Sequence, residues 1–372
     1  MPSSPTPSPK GGRHSARPPK SRLVLPVLVL VAVGLVAWTA LRPAASPTGS
    51  GRSHAAKSPS GPRSPAPVAS HRPASPRPVY ATPQPIAPVV HPALPAEGEF
   101  HQPQHWVPGG SPVRVAWYRS DPANPGTRAW VGWIDPTRIQ LGLYPGQLNP
   151  PPAPGLPQGP TMVPPSQRSR LLAAFNSGFY LTTPYGSQPG GVSEGFALNG
   201  KVYSPMQKGL ATFVAYKDGR IDILPWSGGP SPGAGVVFAR QNLAMMVNQG
   251  KASPLVGDEG LWGEKYHSEP LVWRTGIGID ARGNLLYAAA PYQTPASIAQ
   301  ILVHAGAVRA MQLDINGEWP LFVTYPQPGG GAPRMTFPNL NQFPTVFTTP
   351  GKKDFFAVYL RQPGASLGRV PF

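Results

Sequence analysis

Residues 284–314 read NLLYAAAPYQTPASIAQILVHAGAVRAMQLD. The stretch opens with an apolar strand-like run, NLLYAAA, and ends with another, VRAMQLD. Between them the spacing predicts a helix. Thr294 is suited to the N-cap and Pro295 to the first helical position, where its missing N–H is not needed. Ile298, Ile301, Leu302 and Ala305 recur at i, i+3, i+4 and i+7, one face of a helix. Gly306 is a natural stop. Strand, helix and strand make a βαβ-like unit, and parallel strands would place Asp314 at a C-terminal strand end.

The residues beyond Asp314 sharpen the question of what it does there. Ile315-Asn316-Gly317-Glu318 is a tight turn directly after an apolar run. Aspartate caps turns because its carboxylate accepts backbone N–H groups. Strand ends of mixed folds also present catalytic groups. Both readings stay open at this point.

Working outward, short apolar runs are separated by turn dipeptides. Asn199-Gly200 joins GFAL to KVYS, and Asp218-Gly219 joins TFVAYK to RIDIL. Gln249-Gly250 follows LAMMVN, and Arg282-Gly283 lies between GIGID and NLLYAAA. Such pairs supply the positive φ of tight hairpins, so at least two hairpins are expected. RVAWYRS and RAWVGWIDP are further strand candidates, and NPPPAPGLPQGPTMVPP reads as a surface loop. The expected fold class is α+β (mixed α/β): a strand-rich domain over 110–372, with hairpins and at least one βαβ-like unit.

The N-terminal quarter is of another kind. Leu23–Leu41, LVLPVLVLVAVGLVAWTAL, has no charge and is long enough to cross a bilayer core. Lys10, Arg13, Arg17, Lys20 and Arg22 precede it, while only Arg42, Arg52 and Lys57 follow at comparable distance. This bias predicts a cytoplasmic basic tail (1–22), a single-pass anchor (23–41) and an exported C-terminal domain. A cleaved signal peptide is the competing reading. Residues 42–109 are rich in Pro, Ala and Ser and read as a disordered, semi-rigid linker.

Composition narrows the chemistry. The 372-residue chain carries 55 prolines, 42 glycines, no cysteine and a formal net charge of +17. Without cysteine there is neither a disulfide framework nor a thiolate metal site. Residues 1–100 hold eleven Lys and Arg against Glu97 and Glu99, so about half the excess charge lies before the folded region. A basic balance favours an anionic partner. Nucleic acid is not expected for an exported domain.

No phosphate-binding Gly-Lys-Ser/Thr loop, G-x-G-x-x-G or H-E-x-x-H occurs. His101 and His105 have i, i+4 spacing, but HQPQH contains a proline, so a zinc site there is disfavoured. The sequence requires no cofactor and leaves a divalent metal open. What remains are polar residues on apolar runs: Asn176 after LLAAF, Glu194 in PGGVSEGF, Arg274 and Thr275 after LVW, and Asp314. A buried charge without a partner is costly. Arg274 and Asp314 therefore form either a structural ion pair or a site in which Arg274 offers its planar fork to an oxyanion.

The ordered segments AAFNSGFY, GFALNGKVYS, GLATFVAYKDGRIDI, ARQNLAMMVNQGK, WRTGIGIDARGNLLYAAA and GAVRAMQLDINGEW resemble the phosphodiester glycosidase family over roughly residues 171–323. The family pattern Asn-Gly-Gly-Phe stands here as Asn176-Ser177-Gly178-Phe179. Its Asp-Gly-Gly-Gly-Ser stands as Asp314-Ile315-Asn316-Gly317-Glu318, which keeps the aspartate and loses two glycines and the serine. The resemblance implies a hydrolase of a sugar–phosphate linkage, acting on envelope glycans outside the membrane. Asp314 would work at the anomeric centre and Arg274 would clamp the phosphate. Glu194 would be the second carboxylate and Asn176 would orient substrate. Thr275, Ser177, Gly178, Asn316 and Glu318 would line the substrate site. The altered turn implies an alternative, a member that has lost the chemistry and binds anionic envelope polysaccharide.

Overall fold

In chain order the strands are β1 (Val113–Arg119), β2 (Arg128–Ile134), β3 (Ile139–Tyr144), β4 (Leu171–Asn176), β5 (Phe196–Leu198) and β6 (Lys201–Ser204). They continue with β7 (Ala211–Tyr216), β8 (Ile221–Pro225), β9 (Val236–Gln241), β10 (Met245–Asn248), β11 (Lys251–Ala252) and β12 (Val272–Asp280). The last are β13 (Leu285–Gln293), helix α1 (Pro295–His304), β14 (Ala307–Gln312), β15 (Phe322–Thr324), β16 (Arg334–Met335) and β17 (Phe355–Leu360). These come from a computed structural model that describes residues 80–152, 155–181, 194–263 and 271–362. The expected anchor, Leu23–Leu41, and residues 42–79 lie outside the described residues. Among those described, no helix is long and apolar enough to cross a membrane.

Three sheets form. The first runs β1-β2-β13-β12-β14-β10-β11, the second β16-β15-β4-β17-β3 and the third β6-β5-β9-β7-β8. All neighbours are antiparallel. The domain is thus mostly β, with α1 as its one α-helix among the described residues. The four turn dipeptides all close hairpins: β5–β6, β7–β8, β10–β11 and β12–β13. Asn199 and Gly200 both take positive φ, 51° and 77°, as a two-residue turn of the mirror-image type requires.

The βαβ-like unit is present in split form. β13 and β14 each pair antiparallel with β12, so they run parallel to one another with β12 between them. The helix begins as the sequence indicates: Thr294 Oγ1 accepts the Ser297 N–H at 3.1 Å, and Ser297 Oγ accepts the Thr294 N–H at 2.9 Å. It packs on the first sheet through Ile298, Ile301 and Leu302. Glycine on β12 makes that approach feasible, since a Cβ on Gly276 would stand 2.7 Å from Leu302 Cδ1. Ile277 and Ile279 point the other way, into the central core.

That core lies where the sheets meet. Phe356 of β17 packs on Phe175 of β4 at 5.3 Å between ring centroids and on Phe213 of β7 at 5.0 Å. Phe175 in turn packs on Tyr287 of β13 at 5.4 Å. Rings from all three sheets thereby interlock, and offset or tilted contacts of this kind add to the burial term.

The expected linker ends earlier than residue 109. Residues 80–109 pack against the domain. Ile86 and Val107 are buried, and the segment 98–101 lies along the free edge of β1, with Gly98 N–H donating to Trp117 O and His101 exchanging two bonds with Val115. Glu97 is the anchor: its carboxylate accepts the Arg119 guanidinium at 2.8 Å and the Leu94 and Arg119 backbone N–H groups. Composition alone reads this stretch as unable to bury enough apolar surface, yet it borrows the surface of β1 and hides a charged pair. The docked segment also covers a sheet edge that would otherwise be open to pairing.

Candidate active site

Asp314 follows β14 directly and is 4% exposed. Its N–H donates to Ser177 O at 3.0 Å, which fixes the end of β14 against the turn after β4. Its two carboxylate oxygens have separate duties. Oδ1 accepts the Asn316 N–H at 3.0 Å, and Asn316 Oδ1 accepts the Glu318 N–H at 3.1 Å, so two Asx turns stand in sequence. Oδ2 receives Lys353 Nζ at 2.7 Å. The turn-capping reading is therefore realised, and the same side chain also faces a buried cation.

Lys353 comes from the segment before β17. Its ammonium also donates to Gly178 O at 2.5 Å and lies 4.3 Å from the Tyr180 ring centroid. Tyr180 is half-buried. Burial, followed by the charges of Asp314, Asp354 and Glu318, pushes its phenol up to about 12, so at neutral pH the hydroxyl keeps its proton. The Trp319 ring stands edge-on to Tyr180. A recess of about 20 Å³ lined by Asn176, Trp319, Lys353 and Asp354 opens here, room for roughly one water.

Asn176 ends β4 and is a bracket. Its Oδ1 accepts the Tyr287 hydroxyl at 2.9 Å and the Leu321 N–H at 3.2 Å, and its Nδ2 donates to Thr275 Oγ1 at 3.0 Å. Thr275 Oγ1 donates onward to Asp314 O at 2.7 Å. The chain from Tyr287 through Asn176 and Thr275 to Asp314 ties β13, β4, β12 and the end of β14 together. Ser177 Oγ is buried with no hydrogen-bond partner among the described residues. Gly178 abuts Asn242, whose Cβ and Cγ would be 3.0 Å from an added Cβ.

Behind this layer sits a second buried ion pair, Arg240 Nε to Asp354 Oδ2 at 2.8 Å, with both side chains wholly inaccessible. Arg240 also donates to the carbonyls of Phe179 and Gln241. Asn149 bonds Asp354 through Nδ2 and accepts the Leu181 N–H. A buried pair of this kind stabilises only while its remaining lone pairs and protons are bonded, which is the case here.

Two expected residues stand apart. Arg274 is fully buried and makes no pair with Asp314. Its Nε donates to Gln293 O and its Nη1 to Trp262 O and Gln312 Oε1, each at 2.9 Å, while Nη2 has no partner among the described residues. Burial lowers its pKa to about 10, partly offset by Glu259. A clamp needs an accessible fork, and this one is enclosed by backbone carbonyls. Glu194 lies at the head of β5, accepts from Gln207 Nε2 at 3.4 Å, and has no bond or ion pair with Asp314. Glu318 is exposed on the turn, and Asn316 serves the turn itself.

Lys353, Asp354, Arg240, Asn149 and Tyr180 do not stand out in the sequence. A lysine and an aspartate against the wholly apolar FFAVYL, and an arginine inside VVFARQ, are the signals that point to them. Among the described residues no group of three His, Cys, Asp or Glu side chains is placed to share a metal.

Residues 169–321, the stretch carrying Asn176, Ser177, Thr275 and Asp314, match the family model of the phosphodiester glycosidases. That family is one of phosphodiester glycosidase-type hydrolases. Among solved structures, the chain is similar to the catalytic domain of zebrafish N-acetylglucosamine-1-phosphodiester alpha-N-acetylglucosaminidase auto-inhibited by its pro-peptide. That likeness is 15% identity over 71% of this chain and 88% of that one, with a TM-score of 0.46. A hypothetical protein from Synechocystis is 14% identical over 68% of this chain and 63% of its own, with a TM-score of 0.38. No curated protein matches the chain.

Proposed function

We propose that the protein is a membrane-anchored, extracytoplasmic hydrolase that cleaves glycosyl phosphodiesters in envelope glycans. The observation that carries the reading is Asp314, which lies inside the family match and is paired with a buried ammonium beside a protonated phenol. In such a hydrolysis water adds to the anomeric carbon. The bond from that carbon to the phosphate oxygen breaks, and the phosphate leaves with the electron pair. Phosphate is a good leaving group, so the demand on the protein is to stabilise developing charge.

Asp314 acts at the anomeric centre, as nucleophile or as the base that takes the proton of water. Lys353 takes the electrostatic role first assigned to Arg274, as the cation that meets the departing phosphate. Tyr180 donates a hydrogen bond to the substrate from a hydroxyl that stays protonated. Asn176 and Thr275 are positioning residues, acting through the Asp314 carbonyl. Membrane attachment through Leu23–Leu41 rests on the charge bias around that stretch.

The test is turnover of an N-acetylglucosamine 1-phosphodiester and a chromogenic sugar phosphodiester by the full chain, with and without divalent metal. Asp314→Asn is expected to abolish product, and Lys353→Met to lower kcat more than it raises KM. Absence of product from folded wild-type protein on a panel of glycosyl phosphodiesters would refute the assignment. One observation favours a second reading, a binding module. Ile315 takes the place of a family glycine, is buried, and comes within 3.0 Å of the position a Gly263 Cβ would occupy. Retention on purified envelope glycan without release of product would select that reading.

A further inference from the structure

Away from the Asp314 cluster, a groove of about 640 Å³ opens between the edge strand of the first sheet and that of the second. This is within the usual size of a ligand site. Its floor is indole. Trp117 of β1 and Trp130 of β2 are directly opposed across the hairpin, so their side chains share one face. Trp130 is held by stacking on Trp273 at 6.0 Å and by a tilted contact with Phe337 at 5.6 Å. Trp106, from the docked segment before β1, forms another wall. All three indoles are half-buried, so each is fixed by packing and still reaches the groove.

Two polar atoms of the lining have no partner among the described residues although they are buried: Trp106 Nε1 and Thr336 Oγ1. Leaving a buried donor unpaired costs about 1–3 kcal/mol, and a ligand that bonds it removes that cost. Charge adds direction. Arg334 lines the groove and is exposed, and the Arg128 guanidinium lies 4.3 Å from the centroid of the Trp117 ring. No Asp or Glu lines it. His101 and His105, set aside above as a zinc pair, stand at its rim as exposed hydrogen-bonding groups.

We infer that this groove is a second glycan site, which holds an acidic polysaccharide segment at a distance from the hydrolytic centre. Sugar rings present flat C–H faces that pack on indole. Their hydroxyls answer the free N–H of Trp106 and the hydroxyl of Thr336, and their carboxylates or phosphates answer Arg334 and Arg128. An aromatic groove also suits polyproline. The chain's own proline-rich stretch is the nearest such peptide, but residues 42–79 carry Arg42, Arg52, Lys57, Arg63, Arg72 and Arg77 with no acid. Like charge on both sides disfavours that occupant. The inference stands whether or not Asp314 hydrolyses a phosphodiester.

The experiment titrates the full chain with an α-1,4-galacturonate hexamer, a neutral chitohexaose and a peptide of residues 58–79. It follows tryptophan emission and calorimetric heat. The expected result is saturable binding of the acidic hexamer, weakened by added salt and by roughly tenfold or more in Trp117→Ala and in Arg334→Ala. Asp314→Ala should bind the hexamer as wild type does, and Arg334→Ala should keep full hydrolytic activity. Should Trp117→Ala fail to fold, Arg334→Ala carries the test, since its side chain is on the surface. No saturable binding, equal binding of the neutral hexamer, indifference to Arg334→Ala, or tighter binding of the peptide would each overturn the inference.

Discussion

Replacing Asp314 by alanine tests the site before any substrate is found. In the folded protein Lys353 Nζ has two oxygen acceptors, Asp314 Oδ2 at 2.7 Å and Gly178 O at 2.5 Å, and its side chain is 6% exposed. Alanine leaves the ammonium buried with one carbonyl and the Tyr180 ring. Breaking a buried pair from one side costs about 3–5 kcal/mol, and part of that sum is the lost Asx turn to Asn316, worth about 1 kcal/mol. For a domain of this size about 3–5 kcal/mol lowers Tm by roughly 6–15 °C.

Asparagine is expected to fall between. The carboxylate serves two donors, Lys353 Nζ and the Asn316 N–H, whereas an amide has a single acceptor oxygen, so Asp314→Asn loses one bond at about 2 kcal/mol. Lys353→Met alone strands the carboxylate and should cost about 3 kcal/mol, but Asp314→Ala/Lys353→Met should cost no more than either single change. The coupling in the double-mutant cycle is then about 3–5 kcal/mol or more. Urea unfolding followed by tryptophan emission measures all four proteins. A wild-type-like midpoint for Asp314→Ala, or strict additivity in the cycle, would refute the claim that these two charges depend on each other.

Three further outcomes follow from the same structure. Arg119 holds the Glu97 carboxyl down at about 2 against an ordinary 4.5. The pair therefore stabilises fully above pH 4.5 and loses that contribution as the pH falls from 4.5 towards 2; Glu97→Gln should flatten this acid limb of the stability curve, and an unchanged limb would show that residues 80–109 do not dock. Tyr287→Phe removes the hydroxyl that donates to Asn176 while Leu321 N–H still serves the same oxygen, so the loss should be only about 1 kcal/mol, read as a shift in urea midpoint. Arg240→Ala strands the Asp354 carboxylate at zero exposure and should cost about 3–5 kcal/mol; Arg240→Ala/Asp354→Leu should recover part of that loss in the same assay.

Local chemistry was legible in the sequence wherever a few neighbouring residues decide the backbone. Asn199-Gly200 and Gln249-Gly250 can hardly do anything but turn, and Thr294-Pro295 can hardly do anything but start a helix. Asp314 was legible because a carboxylate at the end of an apolar run needs a reason. The identity of its partner was not. Arg274 and Lys353 lie almost equally far from Asp314 along the chain, but pairing across β12 and β14 leaves Arg274 among carbonyls, while the segment before β17 delivers Lys353. Nothing local to KKDFF records that β17 lies beside β4. The segment 80–109 was misread for a related reason: its proline content disfavours independent structure, and only the edge of β1 gives it somewhere to pack.

Apart from the Asx turns at Asp314 and Asn316, many of the bonds that tie the Asp314 cluster together are long in sequence. Asn176 to Thr275 spans 99 residues, Asn176 to Tyr287 spans 111, Lys353 to Gly178 spans 175 and Asn149 to Asp354 spans 205. Such closures form late, because each must overcome the entropy of a long loop before it gains anything. A ribosome-bound chain holds neither buried ion pair of this cluster until the segment before β17 has emerged. A protease that cuts ahead of residue 353 removes Lys353 and Asp354 together. Both buried pairs of the cluster therefore depend on one late segment, and no fragment that stops ahead of residue 353 holds either.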